Sequence, residues 1–437
     1  MPSLSLLSLA LLLLTLPLAE GRAQEPLTLE RAIELAVNAG PAAQAAAGAS
    51  AVAVGRARTD AQWVNPTLEL RRENEGAPIP YDDFVTLTLP MDFTGRRFAL
   101  RSALGASRVR GSADSLAVVR DTEYGAARAW WDTWVAEQSA EVARTQAVRF
   151  AELARFDSLR AAEGAVAEAA ALRTRLEAER AAYGAAQAAG HAARMRGALA
   201  ARIGRADARG LVLALAPTFE PALAPTFEPA LAPTGTPARA PLPLADSLFT
   251  EDALARAIAR ALADRPDVRA AVAATRVADR RRVASRRGTV PDVGLSGGYK
   301  GTGGYSTATF GVILTPPLAN FNGGAREASE GEWLLADSHR RTAELRAANE
   351  VRAALEAVRA MDEGTRGFAD SFLARSDLIA AAADASYREG AATLTETLEA
   401  LRAIADVRAS GLQAIADRAL TRLDLRRALG ASALETP

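Results

Sequence analysis

The sequence predicts a mainly α-helical chain with a transmembrane β part, laid out as two copies of one helix–strand–strand–long helix–helix unit. Three observations predict it. Pro41, Pro66, Pro90, Gly164 and Gly204 recur as Pro266, Pro291, Pro316, Gly390 and Gly430, at an offset of 225 residues for the first two and 226 for the rest. Proline is absent between Pro90 and Pro217 and again between Pro317 and Pro437, which leaves room for very long helices, since a proline inside a helix removes a hydrogen bond and clashes with the preceding turn. Between the remaining prolines lie short runs that alternate apolar and polar residues, the period of a strand.

The elements follow in chain order. Residues 1–23 carry an apolar run from Leu4 to Leu18, the length of a signal-peptide core and short for a membrane span. Gly21 and Ala23 supply small residues for cleavage after Ala23; an uncleaved anchor helix is the other reading. No cysteine follows, so lipoprotein processing is excluded. The first repeat, 24–204, opens with a helix over 28–62. Strands follow at about 66–74 ("TLELRREN") and 84–92, where Val85, Leu87 and Leu89 alternate with Thr86 and Thr88. A single helix over 96–163 would be roughly 100 Å long at 1.5 Å per residue. It turns at Gly164 into a return helix over 165–203. Residues 205–247 contain "PTFEPALA" twice in tandem. That proline-rich composition argues for a linker or a belt around the helices rather than a packed core.

The second repeat, 248–430, reproduces the plan. It has a helix over 251–286 and strands at about 291–299 and 305–316, the latter with Ala308, Phe310, Val312 and Leu314 alternating with their neighbours. A long helix over 324–389 and a return helix over 391–429 complete it, and 431–437 form a tail. Leu345, Ala348, Val351, Leu355, Val358 and Met361 follow steps of three and four, the period of a buried helical face. Leu394, Leu398, Leu401 and Ala405 do the same.

Composition excludes several function classes. The 52 basic and 52 acidic residues cancel, which argues against a nucleic-acid footprint. Cysteine is absent, so there is no disulfide, thiolate site or cysteine nucleophile. His191 and His339 stand alone, without metal-ligand spacing. No strand leads into a phosphate-binding glycine loop, and no Ser-His-Asp arrangement can be placed. Trp130, Trp131 and Trp134 are read as packing residues. No enzyme, cofactor or metal site is expected.

Architecture follows from the strands. They are about long enough to cross a thin outer-membrane layer when tilted. In lipid each edge must be paired, and about eight strands is the smallest usual barrel. Four strands therefore need partner chains, and three chains supply twelve. The alternative is a small sheet packed on a soluble coiled coil, in which case the chain is a periplasmic adaptor or structural rod.

At this point the sequence resembles the TolC-like outer-membrane efflux proteins. "LTLERAIELAVNAGP" (27–41) resembles that family's opening helix, and "LADSLFTEDALARAIARALADRP" (244–266) its second-copy equivalent. The turns in "GAVAEAAALRTRLEAER" and "GAATLTETLEALRAIADVR" resemble its periplasmic tips, and "LRRALG" its closing helix. The resemblance implies a homotrimer with a twelve-stranded barrel over an α-helical periplasmic tunnel. It implies an outer-membrane exit duct of a tripartite efflux pump or a type I secretion system, working with a periplasmic adaptor and an inner-membrane transporter. "LPMDFTGRRFALRSALGASRV" and "PPLANFNGGAREAS" look most like members that export metal cations with RND-type pumps.

The same resemblance assigns sites. Glu396 and Glu399, three apart on one helix face, would form a ring of carboxylates at the periplasmic aperture. Such a ring attracts cations, and like-charge repulsion is expected to raise some of its pKa values. The plain alternative is a solvated helix face. Tyr387 matches a gate tyrosine, whereas Ala392 stands where the family carries a gate arginine. Gly164, Ala165, Val166 and Gly390, Ala391, Ala392 would be the adaptor-contact turns, or helix turns and nothing more.

Overall fold

The computed structural model describes residues 26–39, 41–74, 81–214, 250–317, 321–365 and 368–434. The signal-peptide segment, most of 205–247 with its tandem repeat, and the end of the tail lie outside the described residues.

The first repeat runs α1 (Leu29–Ala39), α2 (Pro41–Asp60), β1 (Thr67–Glu73), β2 (Asp82–Met91), α3 (Arg96–Ala162) and α4 (Glu168–Arg202). The second runs α5 (Glu251–Asp264), α6 (Pro266–Arg287), β3 (Asp292–Thr302), β4 (Tyr305–Thr315), α7 (Gly323–Thr365), α8 (Phe368–Arg388) and α9 (Leu394–Ala428). The single leading helix expected in each repeat is instead two. Pro266 occupies the first position of α6 and pushes Arg265 to φ −61°, ψ 128°, outside the helical region, because the residue before a proline is disfavoured in α. Pro41 opens α2 in the same way.

The 67-residue α3 is the spine, about 100 Å long. It packs against α4 and α9 along one half and against α2 and α6 along the other. α7 likewise lies against α6 and α9. The return helices therefore abut the α1/α2 and α5/α6 joints end to end, and the chain is a wall of rods rather than a ball.

The glycine punctuation has one cause. Gly164, Gly204, Gly390 and Gly430 all adopt left-handed φ of 73–77°. Each closes a helix with the same pair of bonds: Ala165 N–H donates to the Arg160 carbonyl and Gly164 N–H to that of Ala161, and Ala391 and Gly390 repeat this on Ser386 and Tyr387. That is the Schellman C-cap, which glycine adopts without a Cβ penalty. Gly430 is doubly constrained, since a Cβ there would lie 3.0 Å from Arg265 Cγ and 3.1 Å from its Cα.

Arg265 staples this joint. Its guanidinium donates to both Asp267 carboxylate oxygens (3.0 and 2.8 Å), to Glu350 of α7 (2.6 Å) and to the Ala428 carbonyl of α9 (3.3 Å). The first repeat has Gly40 at the matching position, so the staple belongs to the second repeat alone.

Among the described residues three apolar clusters run along the wall. The middle one gathers Trp130, Trp131, Trp134, Ile33, Leu199 and Ile203, the second Val351, Leu355, Val358 and Leu425, and the third Phe150, Leu153, Tyr387, Leu398 and Leu401. On α7 the buried face runs Ala347, Val351, Leu355, Val358, whereas Leu345, which the sequence period placed inside, is 67% exposed.

Candidate functional site

Two regions can carry function, one at each end of the rods. At the turn end, Gly164, Ala165, Gly390 and Ala391 are exposed, with Val166 and Ala392 half-buried. Nothing lies within 4 Å of a Cβ built on Gly164 or Gly390, so the backbone angle alone selects glycine there. The turns are thus small-residue knuckles with open space around them.

Tyr387, in α8 three residues before Gly390, is buried. Its hydroxyl donates to Asp157 Oδ1 of α3 at 2.7 Å, and its ring meets Phe156 edge-on at 6.4 Å. Asp157 is fully buried and its second oxygen has no hydrogen-bond partner among the described residues. Burial and then the Asp157 carboxylate push the Tyr387 phenol up to about 12. The contact joins the two repeats just above their turns. Sequence reasoning named Tyr387 and missed Asp157. The signal was present, because Phe150, Leu153, Ala154 and Asp157 fall on one buried helical stripe, so a carboxylate stood at a core position of the period.

A phenol with a raised pKa stabilises the fold fully below its unfolded value near 10, and that stabilisation is lost as pH rises through about 12. Wild-type protein is therefore expected to lose the α3–α8 contact in that window, whereas Tyr387→Phe, which lacks the titrating group, shows no such step. The same substitution should cost about 1–3 kcal/mol at neutral pH by leaving Asp157 unpaired. Ultraviolet titration alongside thermal unfolding of both chains checks both expectations; identical alkaline profiles would remove Tyr387 from this role.

Glu396 and Glu399 are both exposed. Glu396 is engaged in a capping box: the Thr393 N–H and hydroxyl both donate to Glu396 Oε2 at 2.8 Å, and the Glu396 N–H donates back to Thr393 Oγ1. Those donors hold its carboxyl below the usual range. Repulsion was expected to raise pKa values here; within the chain the shift of Glu396 runs the other way, because hydrogen bonds to the charged form favour it.

At the opposite end β1, β2, β3 and β4 form one antiparallel sheet in that order. Register makes the two faces legible. Leu70–Val85–Tyr299–Ala308, Leu68–Leu87–Gly297–Phe310, Leu89–Leu295–Val312 and Met91–Val293–Leu314 form successive rungs of one face. That face is apolar over about 20 Å along the strands, yet solvent reaches it: Leu70 is 72%, Phe310 88% and Val312 68% exposed. The other face carries Thr67–Thr88–Ser296, Glu69–Thr86–Gly298–Thr309 and Arg71–Phe84–Lys300–Thr307. Trp63, Phe93, Phe98 and Phe321 are exposed around the helical end of the sheet, and Tyr81, Tyr299 and Tyr305 around the far end. β2 starts at Asp82 and β3 runs to Thr302, beyond the expected 84–92 and 291–299. The extensions are polar residues and one glycine paired across the ladder, which alternation does not reveal.

Among the described residues no helix is long and apolar enough to cross a membrane, which leaves the sheet as the apolar surface to be explained.

Helical rods of this length ending in a two-faced antiparallel sheet are a fold shared with solved outer membrane channels. The chain has a TM-score of 0.72 to the CmeC outer membrane channel of Campylobacter jejuni, at 16% identity over 93% of this chain and 87% of that one. It has a TM-score of 0.70 to the outer membrane protein VceC of Vibrio cholerae, at 16% identity over 93% and 96%. For the open state of the MtrE outer membrane channel of Neisseria gonorrhoeae the values are 0.66, 20%, 93% and 89%. At these identities the likeness establishes the fold. No curated protein matches by sequence. Residues 257–431 match the family model described as outer membrane efflux protein.

Proposed function

We propose that three copies of this chain form an outer-membrane exit duct, passively conducting exported metal cations or small toxic compounds out of the periplasm. The apolar, solvent-reached face of the sheet carries this reading. A soluble rod has no use for thirteen apolar side chains and a glycine on one open face, whereas lipid covers such a face directly. β1 and β4 are the sheet's edges, and in hydrocarbon each needs a partner strand. Because the four strands alternate in direction, β4 of one copy and β1 of the next can continue the antiparallel order, and three copies close twelve strands. The aromatic residues at both borders match the interfacial girdles of membrane barrels.

The 24–204 and 248–430 repeats would then be two sixths of the wall, joined by 205–247. The small turns at Gly164 and Gly390 would receive the helical hairpins of a periplasmic adaptor, which couples the duct to an inner-membrane transporter of RND type. Glu396 and Glu399 of three copies would ring the aperture, with the Tyr387–Asp157 contact holding it closed.

Reconstitution into planar bilayers tests the duct. A heat-sensitive trimer that conducts is expected; a chain that stays soluble and monomeric without detergent would favour the rod. Glu396→Gln with Glu399→Gln should lower cation selectivity while keeping α9 capped, since glutamine also serves at the third position of a capping box. Unchanged selectivity would move both residues off the aperture.

A further inference from the structure

The polar face of the sheet is not uniform. Near the helices it carries threonine, serine and glycine, with the Glu69 carboxylate on the rung before the change. At its far end it changes abruptly. Arg71 of β1, Phe84 of β2 and Lys300 of β3 share one rung. The Arg71 guanidinium lies 4.8 Å and the Lys300 ammonium 5.0 Å from the centroid of the Phe84 ring, so two cations from the flanking strands sit over one aromatic. Lys300 is the only lysine in 437 residues. Its ammonium pairs with Asp82 at 2.5 Å, and Asp82, only 5% exposed, also accepts from the Thr302 hydroxyl at 2.6 Å. Arg71 pairs with Glu73 at 2.7 Å. Both acids lie one rung further from the helices than their cations.

We propose that this rung is a selectivity filter at the outer mouth of the duct, with Lys300 and Arg71 setting which sign of ion passes and Asp82 holding the Lys300 ammonium in place. The inference rests on the duct reading, since it needs the polar face turned to the lumen. The physical argument is one of placement. With the opposite face given to lipid, the Arg71–Phe84–Lys300 rung can only face the passage. Three copies then bring six cations to one level (two from each chain), with their paired acids Asp82 and Glu73 displaced outward and Glu69 one rung inward. Side chains of one sign ringed at one depth of a pore bias permeation even when each is paired, because their partners lie at a different depth. The aromatic between them restricts where the two long side chains can swing.

The test is reversal potential across a planar bilayer under a potassium chloride gradient. Lys300→Gln removes three of the six cations and is expected to raise the cation-to-anion permeability ratio at least about twofold. Arg71→Gln should move it the same way; Arg71 and Glu73 are about half exposed, so this variant disturbs folding least. Asp82→Asn should move it oppositely. Each variant is first shown to form the heat-sensitive trimer. Conducting trimers in which Arg71→Gln and Lys300→Gln leave the reversal potential unchanged overturn the filter and leave the duct standing. Wild-type protein that does not conduct overturns the duct, and the filter with it.

Discussion

If three copies close a barrel as proposed, Leu87→Arg is expected to remove the protein from the outer membrane as a heat-sensitive trimer, while Thr86→Arg, one residue away, leaves it there. The two positions are adjacent in the chain but lie on opposite faces of β2. Leu87 shares its rung with Leu68, Gly297 and Phe310, and Thr86 shares its own with Glu69, Gly298 and Thr309. An arginine on the lipid face near mid-bilayer costs about 2–4 kcal/mol. Three copies multiply that to roughly 6–12 kcal/mol, comparable with the whole stability of an ordinary domain. An arginine on the polar face meets water. Membrane fractionation with and without heating reads the outcome. If both variants assemble alike, or Thr86→Arg is the one lost, the lipid and lumen faces have been assigned the wrong way round or do not exist.

Trp130→Ala should be the most damaging change in the helical wall. Trp130 is wholly buried and stacks edge-on with Trp131 at 5.1 Å, which meets Trp134 at 5.6 Å. Its indole N–H donates to the Leu27 carbonyl at 3.0 Å. Leu27 in turn exchanges backbone bonds with Val212 and Ala214, so one side chain ties the start of the first repeat to the segment that leaves it. Truncation to alanine costs about 3–5 kcal/mol. Trp130→Phe keeps most of the packing and gives up the hydrogen bond. Its cost should fall near 1 kcal/mol, because the Leu27 carbonyl still accepts from Ala214. Thermal unfolding in detergent separates the two; equal destabilisation would mean that the hydrogen bond, not the ring, holds this joint.

The candidate sites were only partly legible in sequence. Tyr387 could be named because a resemblance pointed to it, but its partner lies 230 residues away in the chain and no local pattern joins the two. Glu396 and Glu399 look equivalent as letters three apart. The structure separates them, since Thr393 engages Glu396 in the capping box and leaves Glu399 outside it. The threonine three residues before Glu396 was a readable capping signal that the reading of an acidic pair passed over. The cation–aromatic rung at the far end of the sheet was out of reach, because Arg71, Phe84 and Lys300 come from three separate strands.

Residue by residue, the chain alone determined its punctuation: where helices stop, where they cannot pass, and that the whole plan occurs twice. Those are local properties, since a left-handed turn needs glycine and a proline lacks its N–H wherever it stands. Tertiary structure decided everything that depends on one segment's register against another. Alternation in β2 says only that it has two faces. Pairing with β3, more than two hundred residues later, lines leucine beside leucine and threonine beside serine, and so turns a weak period-two signal in four short strands into one continuous apolar surface facing away from the polar one.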